Sequence, residues 1–289
     1  MRFAPDTDDA ARDAIERVDA RAIRHDAVQD GVRVRWRCFG SDTGKLPLVL
    51  LHGGHGSWMH WLRNVEVLSA DRAVWVPDMP GFGESDTPPK PAAGEAALGP
   101  LLAALGGTLD QLVGAGTPIA LGGFSFGGLV ASTFAVQRGD VDRLMLVGSG
   151  GHATRRRLDV DMINWRAVDT REEERAALQH NIGALMLHDK GFDPLAFAIH
   201  DASCHGTRFR SKDVSLAGGL QAAIDQLRCP QMLLWGEFDV TADPRPLVAQ
   251  LTEGHANRKG VLIDGAGHWA QYERADAVND VMLRFLSGL

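Results

Sequence analysis

Apolar residues in this chain follow two rhythms. Short unbroken runs stand at residues 48–51, 73–77, 118–121, 144–147, 232–235 and 261–263. Runs apolar on both faces are typical of strands in a parallel sheet covered by helices on either side. Between them lie stretches with helical spacing. One starts near Pro100 and puts Leu101, Leu102, Leu105, Leu109 and Leu112 on one stripe, with Gly106-Gly107 interrupting it. A second runs from Gly127 to about Arg138, and a third from about Ala275 to Leu286 with Val278, Met282 and Phe285 inward. Residues 32–39 alternate with period two, as a half-exposed strand does. Strand–helix alternation of this kind predicts an α/β fold, a doubly wound and mostly parallel central sheet flanked by helices.

The rhythm breaks between Gly151 and about Gln226, where the pattern is helical and no strand is expected. This divides the chain into a core of residues 25–151 and 227–289 and a helical insertion, 152–226, placed to act as a lid. Ahead of the core, Ala11, Ile15, Val18 and Ala22 fall at 4-3-4 spacing over residues 8–23 and predict an amphipathic helix within an N-terminal extension, 1–24. That helix must dock on its own core or on a second copy, which leaves a homo-oligomer possible.

Composition narrows the setting. The net charge is −7 and the basic residues are scattered apart from Arg155-Arg156-Arg157, which excludes the footprint of a nucleic-acid binder. The arginine run fits a solvated turn, or capture of an anionic substrate beside the lid. Three widely spaced cysteines fit reduced thiols in a cytoplasmic protein. The acidic N-terminus lacks the apolar stretch of a secretory signal. No apolar run approaches the ~20 residues of a membrane span.

The chemistry concentrates at strand ends. Gly123-Phe124-Ser125-Phe126-Gly127 is a Gly-x-Ser-x-Gly pattern with an apolar strand before it and an amphipathic helix after it. That context suits a nucleophile elbow, a sharp turn that lifts a serine to a helix N-terminus. Read alone, the motif also fits a glycine-rich turn with an incidental serine. A serine hydroxyl needs a base, and His268, in the loop after the last apolar run, can reach back over the sheet edge. Asp239, just past the preceding run, is the acid that orients it, ahead of Glu237 and Asp264 as loop hydrogen-bond acceptors. The backbone N–H of Phe126 and one from His52-Gly53-Gly54, with Gly54 ahead of Gly53, supply the oxyanion donors. His52, His55 and His60 match no metal-binding spacing, and no metal or cofactor is called for.

With the order Ser…Asp…His and Pro77-Asp78-Met79-Pro80-Gly81-Phe82-Gly83, the chain resembles the α/β-hydrolase superfamily over residues 30–289. Within it, Gly267-His268-Trp269-Ala270-Gln271-Tyr272-Glu273 resembles the meta-cleavage-product hydrolases, which hydrolyse C–C bonds in ring-fission products. The resemblance implies that Trp269 lines the pocket and that Arg175, a basic lid residue, binds an anionic substrate. Phe124 stands where that family favours asparagine. Residues 53–58 also replace its usual Gly-Gly-Gly-Pro-Gly loop, so ester or lactone hydrolysis stays open.

The expected function is hydrolysis of a small, fairly apolar carbonyl substrate, with Trp269 and Phe124 beneath the lid. A non-catalytic small-molecule receptor on the same fold is the alternative of another class.

Overall fold

The computed structural model describes residues 3–288. Met1, Arg2 and Leu289, at the ends of the expected extension and core, lie outside the described residues. Eight strands form one sheet: β1 (Ile23–Gln29), β2 (Val32–Phe39), β3 (Leu48–Leu51), β4 (Val74–Pro77), β5 (Ile119–Phe124), β6 (Val141–Val147), β7 (Gln231–Gly236) and β8 (Arg258–Ile263). Their order across the sheet is β1-β2-β4-β3-β5-β6-β7-β8. The β1–β2 and β2–β4 pairs are antiparallel and the rest parallel.

The apolar runs feed two cores because successive side chains on a strand point to opposite faces. Leu48 and Leu50 enter one core, while Val49 and Leu51 enter the other. The first core is closed by α1 (Asp9–Asp19), α2 (Val65–Leu68) and α11 (Ala275–Leu286), through Ile15, Leu68, Val278 and Met282. The second is closed by α3 (Gly99–Val113), α4 (Phe126–Arg138) and α9 (Pro244–Thr252), through Leu105, Val130 and Leu247. A short α10 (Ala270–Glu273) precedes α11. The doubly wound sheet read from the sequence is therefore the one that forms.

Three local features differ from expectation. Helix α1 stops at Asp19, and Ala22 lies beyond it. The helix packs Ala11 and Ile15 into this chain's own core, so its apolar face is already covered. Strand β1 escapes a hydrophobicity reading because Ile23 and Val28 are exposed at the sheet edge. Its signal is Asp30-Gly31, both at positive φ, the two-residue turn that joins twisted antiparallel strands. Gly106-Gly107 does not interrupt α3: Gly106 lies against the Phe134 ring, and a side chain on Gly107 would overlap Gln29.

Between β6 and β7 the described residues carry no strand. They form α5 (Arg171–Leu185), α6 (Pro194–His205), α7 (Ser211–Leu216) and α8 (Leu220–Ile224), preceded by an irregular stretch from Gly148. A Thr170–Glu173 capping box starts α5, and Asp193 caps α6. Among the described residues no helix is long and apolar enough to cross a membrane.

Candidate active site

Ser125 makes the whole reversal between β5 and α4 by itself, at φ +53 and ψ −119. For a residue with a side chain such a conformation costs about 1–3 kcal/mol and persists only where its surroundings enforce it. A methyl on Gly123 would overlap the Gly127 carbonyl, and one on Gly127 would overlap the His52 backbone. The flanking glycines are thus steric requirements of the turn. The Ser125 N–H donates to the Val147 carbonyl at 2.9 Å, which ties the elbow to β6.

The structure brings the three side chains singled out from the sequence into one hydrogen-bonded line. His268 Nε2 lies 2.9 Å from Ser125 Oγ, and His268 Nδ1 lies 2.8 Å from Asp239 Oδ2. With a carboxylate as acceptor, Nδ1 holds the proton and the Nε2 lone pair faces the hydroxyl. Asp239 is fully enclosed, and its other oxygen accepts from the Thr241 N–H at 2.8 Å and hydroxyl at 2.7 Å. Burial alone would raise the Asp239 carboxyl, but its electrostatic interaction with the adjoining imidazole and the His268 and Thr241 bonds hold it below its ordinary value.

Three other carboxylates near these loops, Glu237, Asp264 and Glu273, do different work. Glu237 accepts from the Gly265 N–H at 3.2 Å, as a loop acceptor should, and Asp264 is exposed. Glu273 accepts from Gly267 N–H at 2.6 Å with one oxygen. With the other it accepts from His188 and Asp189 N–H at 2.7 and 3.0 Å. It thereby joins the His268 loop to the connection between α5 and α6.

The loop that carries Gly53 and Gly54 is gripped by two buried imidazoles. His60 Nδ1 accepts from the Gly53 N–H at 3.1 Å, and His52 Nδ1 donates to the Gly53 carbonyl at 2.8 Å. His52 Nε2 in turn accepts from Met79 N–H at 2.9 Å, which fixes the tautomer. Because a trans peptide points its C=O and N–H in opposite directions, holding the Gly53 carbonyl aims the Gly54 N–H away from His52. Among the described residues, neither the Gly54 nor the Phe126 N–H is spent on another backbone acceptor. Burial lowers His52 to about 4. Burial, then the neighbouring histidines His52, His200 and His268, push His60 well down, so both rings are neutral.

A cavity of about 180 Å³ opens at Ser125 and His268, walled by Gly148, His152, Thr154, Arg156, Ser215 and Thr241 among others. This wall is polar, whereas the substrate expected from the sequence was fairly apolar. Three residues expected to bind substrate lie elsewhere. Trp269 is fully buried, stacked on Tyr272 at 4.2 Å, and donates its indole N–H to the His60 carbonyl at 3.0 Å. Phe124 packs behind the site, 5.3 Å from the His60 ring and 5.0 Å from the His268 ring. Arg175 lies 3.4 Å from Asp6 and over the Phe197 ring at 4.5 Å. The aromatic residues fill space behind the histidines, and the guanidinium is taken up by Asp6. Gly53 does sit at the site, its Cα facing the Phe124 ring and the Ser125 side chain. A larger hollow of about 560 Å³ between α5 and α6 contains none of Ser125, His268 and Asp239.

Sequence reasoning missed Thr241, Glu273, His60 and the inward turn of Arg156. Only Thr241 carried a usable signal, a hydroxyl two residues beyond the candidate acid.

The family model described as the Alpha/beta hydrolase family matches residues 48–281. This chain belongs to that family of enzymes. It is 31% identical over 281 residues to the dihydrolipoyllysine-residue acetyltransferase component of the acetoin cleaving system of Pseudomonas putida, covering 89% of this chain and 67% of that protein. It is 27% identical over 284 residues to the 2-hydroxy-6-oxononadienedioate/2-hydroxy-6-oxononatrienedioate hydrolase of Cupriavidus pinatubonensis, covering 93% and 96%. A crystal structure of a meta-cleavage product hydrolase variant (CumD) superimposes with a TM-score of 0.73 at 20% identity, covering 92% of this chain and 99% of that one.

Proposed function

We propose that this chain is a serine hydrolase of small carbonyl compounds, with Ser125 as nucleophile, His268 as general base and Asp239 as the acid that orients it. The observation that carries the reading is the unbroken line Asp239–His268–Ser125, at 2.8 and 2.9 Å, ending on a serine held at positive φ. Ser125 Oγ attacks the carbonyl carbon while His268 Nε2 takes its proton. The oxyanion that forms is received by the Gly54 and Phe126 N–H groups. His268 then gives the proton to the leaving group, leaving an acyl-enzyme that water hydrolyses by the same exchange. The helical insertion serves as the lid, with Ser211 against Gly54 and Ser215 in the cavity wall.

The reading leans toward hydrolysis of a C–C bond in a ring-cleavage product. The support is the relative of nearly equal length that is named as a 2-hydroxy-6-oxononadienedioate hydrolase. Ester or lactone hydrolysis uses the same attack and the same donors. Labelling by a fluorophosphonate probe, lost in Ser125→Ala, tests the nucleophile; an unlabelled wild-type Ser125 overturns it. Aryl esters assayed beside a coloured ring-fission dienone decide the bond, through the larger kcat/KM.

A further inference from the structure

We infer that the substrate handled at Ser125 carries a carboxylate and that Arg156 receives it, an assignment that rests on the hydrolase reading for its reaction but not for its binding. The three consecutive arginines have different fates. Arg155 is exposed, and Arg157 lies 3.3 Å from Asp243. Arg156 is half-buried and forms part of the cavity wall that also holds Ser125 and His268. Among the described residues its guanidinium has no ion-pair partner.

The backbone holds Arg156 in that direction. The Arg157 N–H donates to the Val240 carbonyl at 2.7 Å, one residue past Asp239. Upstream, the Thr154 N–H and hydroxyl lie 3.1 and 2.8 Å from His152 Nδ1. Between these two anchors the chain alternates exposed and half-buried positions, and the half-buried residues 152, 154 and 156 line the cavity, with Ala153 at positive φ also at its wall. The wall contains no aspartate or glutamate; Asp239, behind His268, is taken up by His268 and Thr241, and Asp243 lies against Arg157. In a chain of net charge −7 whose other arginines are largely paired with carboxylates, an open guanidinium beside a candidate nucleophile is fitted to an incoming anion. A planar guanidinium matches a carboxylate best, through two parallel hydrogen bonds. The cavity of about 180 Å³ requires the carboxylate and the reacting carbonyl to belong to one short molecule.

The placement differs from what the family resemblance implied. There the anion partner was Arg175 on the first long helix of the insertion. Here it is an irregular stretch after β6, fastened to the loop that bears Asp239.

The test compares 4-nitrophenyl hemisuccinate with the neutral 4-nitrophenyl butyrate in the full chain, Arg156→Gln, Arg156→Lys and the exposed control Arg155→Gln. The expected wild-type kcat/KM ratio favours the hemisuccinate by about 10- to 100-fold, the range of a charge-assisted hydrogen bond. It collapses toward unity in Arg156→Gln through KM, recovers in part in Arg156→Lys and stays at the wild-type value in Arg155→Gln. A wild-type ratio near one, or one that Arg156→Gln leaves in place, overturns the assignment. Glutarate binding by calorimetry gives a readout without turnover: Arg156→Gln weakens it about tenfold or more, while Ser125→Ala retains it. Equal binding by wild type and Arg156→Gln, or none by either, also overturns it. If neither ester is hydrolysed and Ser125 stays unlabelled, the hydrolase reading fails instead, and glutarate alone decides the anion site.

Discussion

The two flanks of Ser125 are built on different terms. On one flank the loops after β7 and β8 are closed systems: Asp239 accepts from His268 and from Thr241 twice, and Glu273 and Glu237 take up loop N–H groups. On the other flank, the irregular stretch from Gly148 to Arg157 leaves a guanidinium, a histidine and small side chains facing a cavity. On the proposed reading the closed flank is pre-organised for one proton exchange whatever carbonyl arrives. The open flank keeps unspent hydrogen-bonding capacity, and on the proposed reading it does the choosing.

Substitutions can break or sharpen that contrast. The largest effect is expected at the closed flank, where Ser125→Ala lowers kcat by roughly 10⁶-fold, measured by active-site titration beside steady-state rates. Asp239→Asn follows, at about 10⁴-fold in kcat with the fold retained. It leaves His268 in the wrong tautomer, so KM should move far less than kcat.

Next in size is a dependence of stability on pH that arises from two buried imidazoles outside the proton-exchange line. Burial holds His52 and His200 at about 4, below the ordinary 6.5. Their folded forms therefore bind fewer protons than the unfolded chain between those values. Their contribution is complete above pH 6.5 and is lost as pH falls toward 4, by about 3 kcal/mol for each ring. Urea denaturation at pH 7 and pH 4.5 reads this directly, and equal midpoints would refute it. The smallest effect belongs to Arg175→Gln, which severs a part-exposed pair with Asp6. It shifts stability by no more than ~1 kcal/mol, and the preference for a carboxylate ester survives it, in contrast to Arg156→Gln.

The same contrast explains what was legible in the sequence. The interior parallel strands announce themselves because both faces are largely buried, and the elbow because Gly123 and Gly127 answer to backbone overlap. His268 and Asp239 are legible as positions just past apolar runs, which is where a sheet edge places any side chain. By comparison, β1 hides because its two large apolar residues, Ile23 and Val28, face outward, and only Asp30-Gly31 betrays it. Trp269 and Phe124 were misplaced for a physical reason: a large aromatic beside a reactive histidine can face the cavity or the core, and chain position does not set which. Here the indole N–H finds the His60 carbonyl inside the core. Arg155, Arg156 and Arg157 read identically in sequence, and only the bond from Arg157 N–H to the Val240 carbonyl separates their directions.

The bridge made by Glu273 has a consequence for exchanging parts between relatives. Insertions between β6 and β7 look like modules that could be transplanted to redirect specificity. In this chain the carboxylate of Glu273 clasps Gly267, next to His268, and also His188 and Asp189 of the insertion. A graft that does not present the two donating N–H groups at these positions would strand a carboxylate oxygen and loosen the seat of the histidine. Successful chimaeras should therefore carry the 187–189 turn with the recipient's own histidine loop, as one inherited joint.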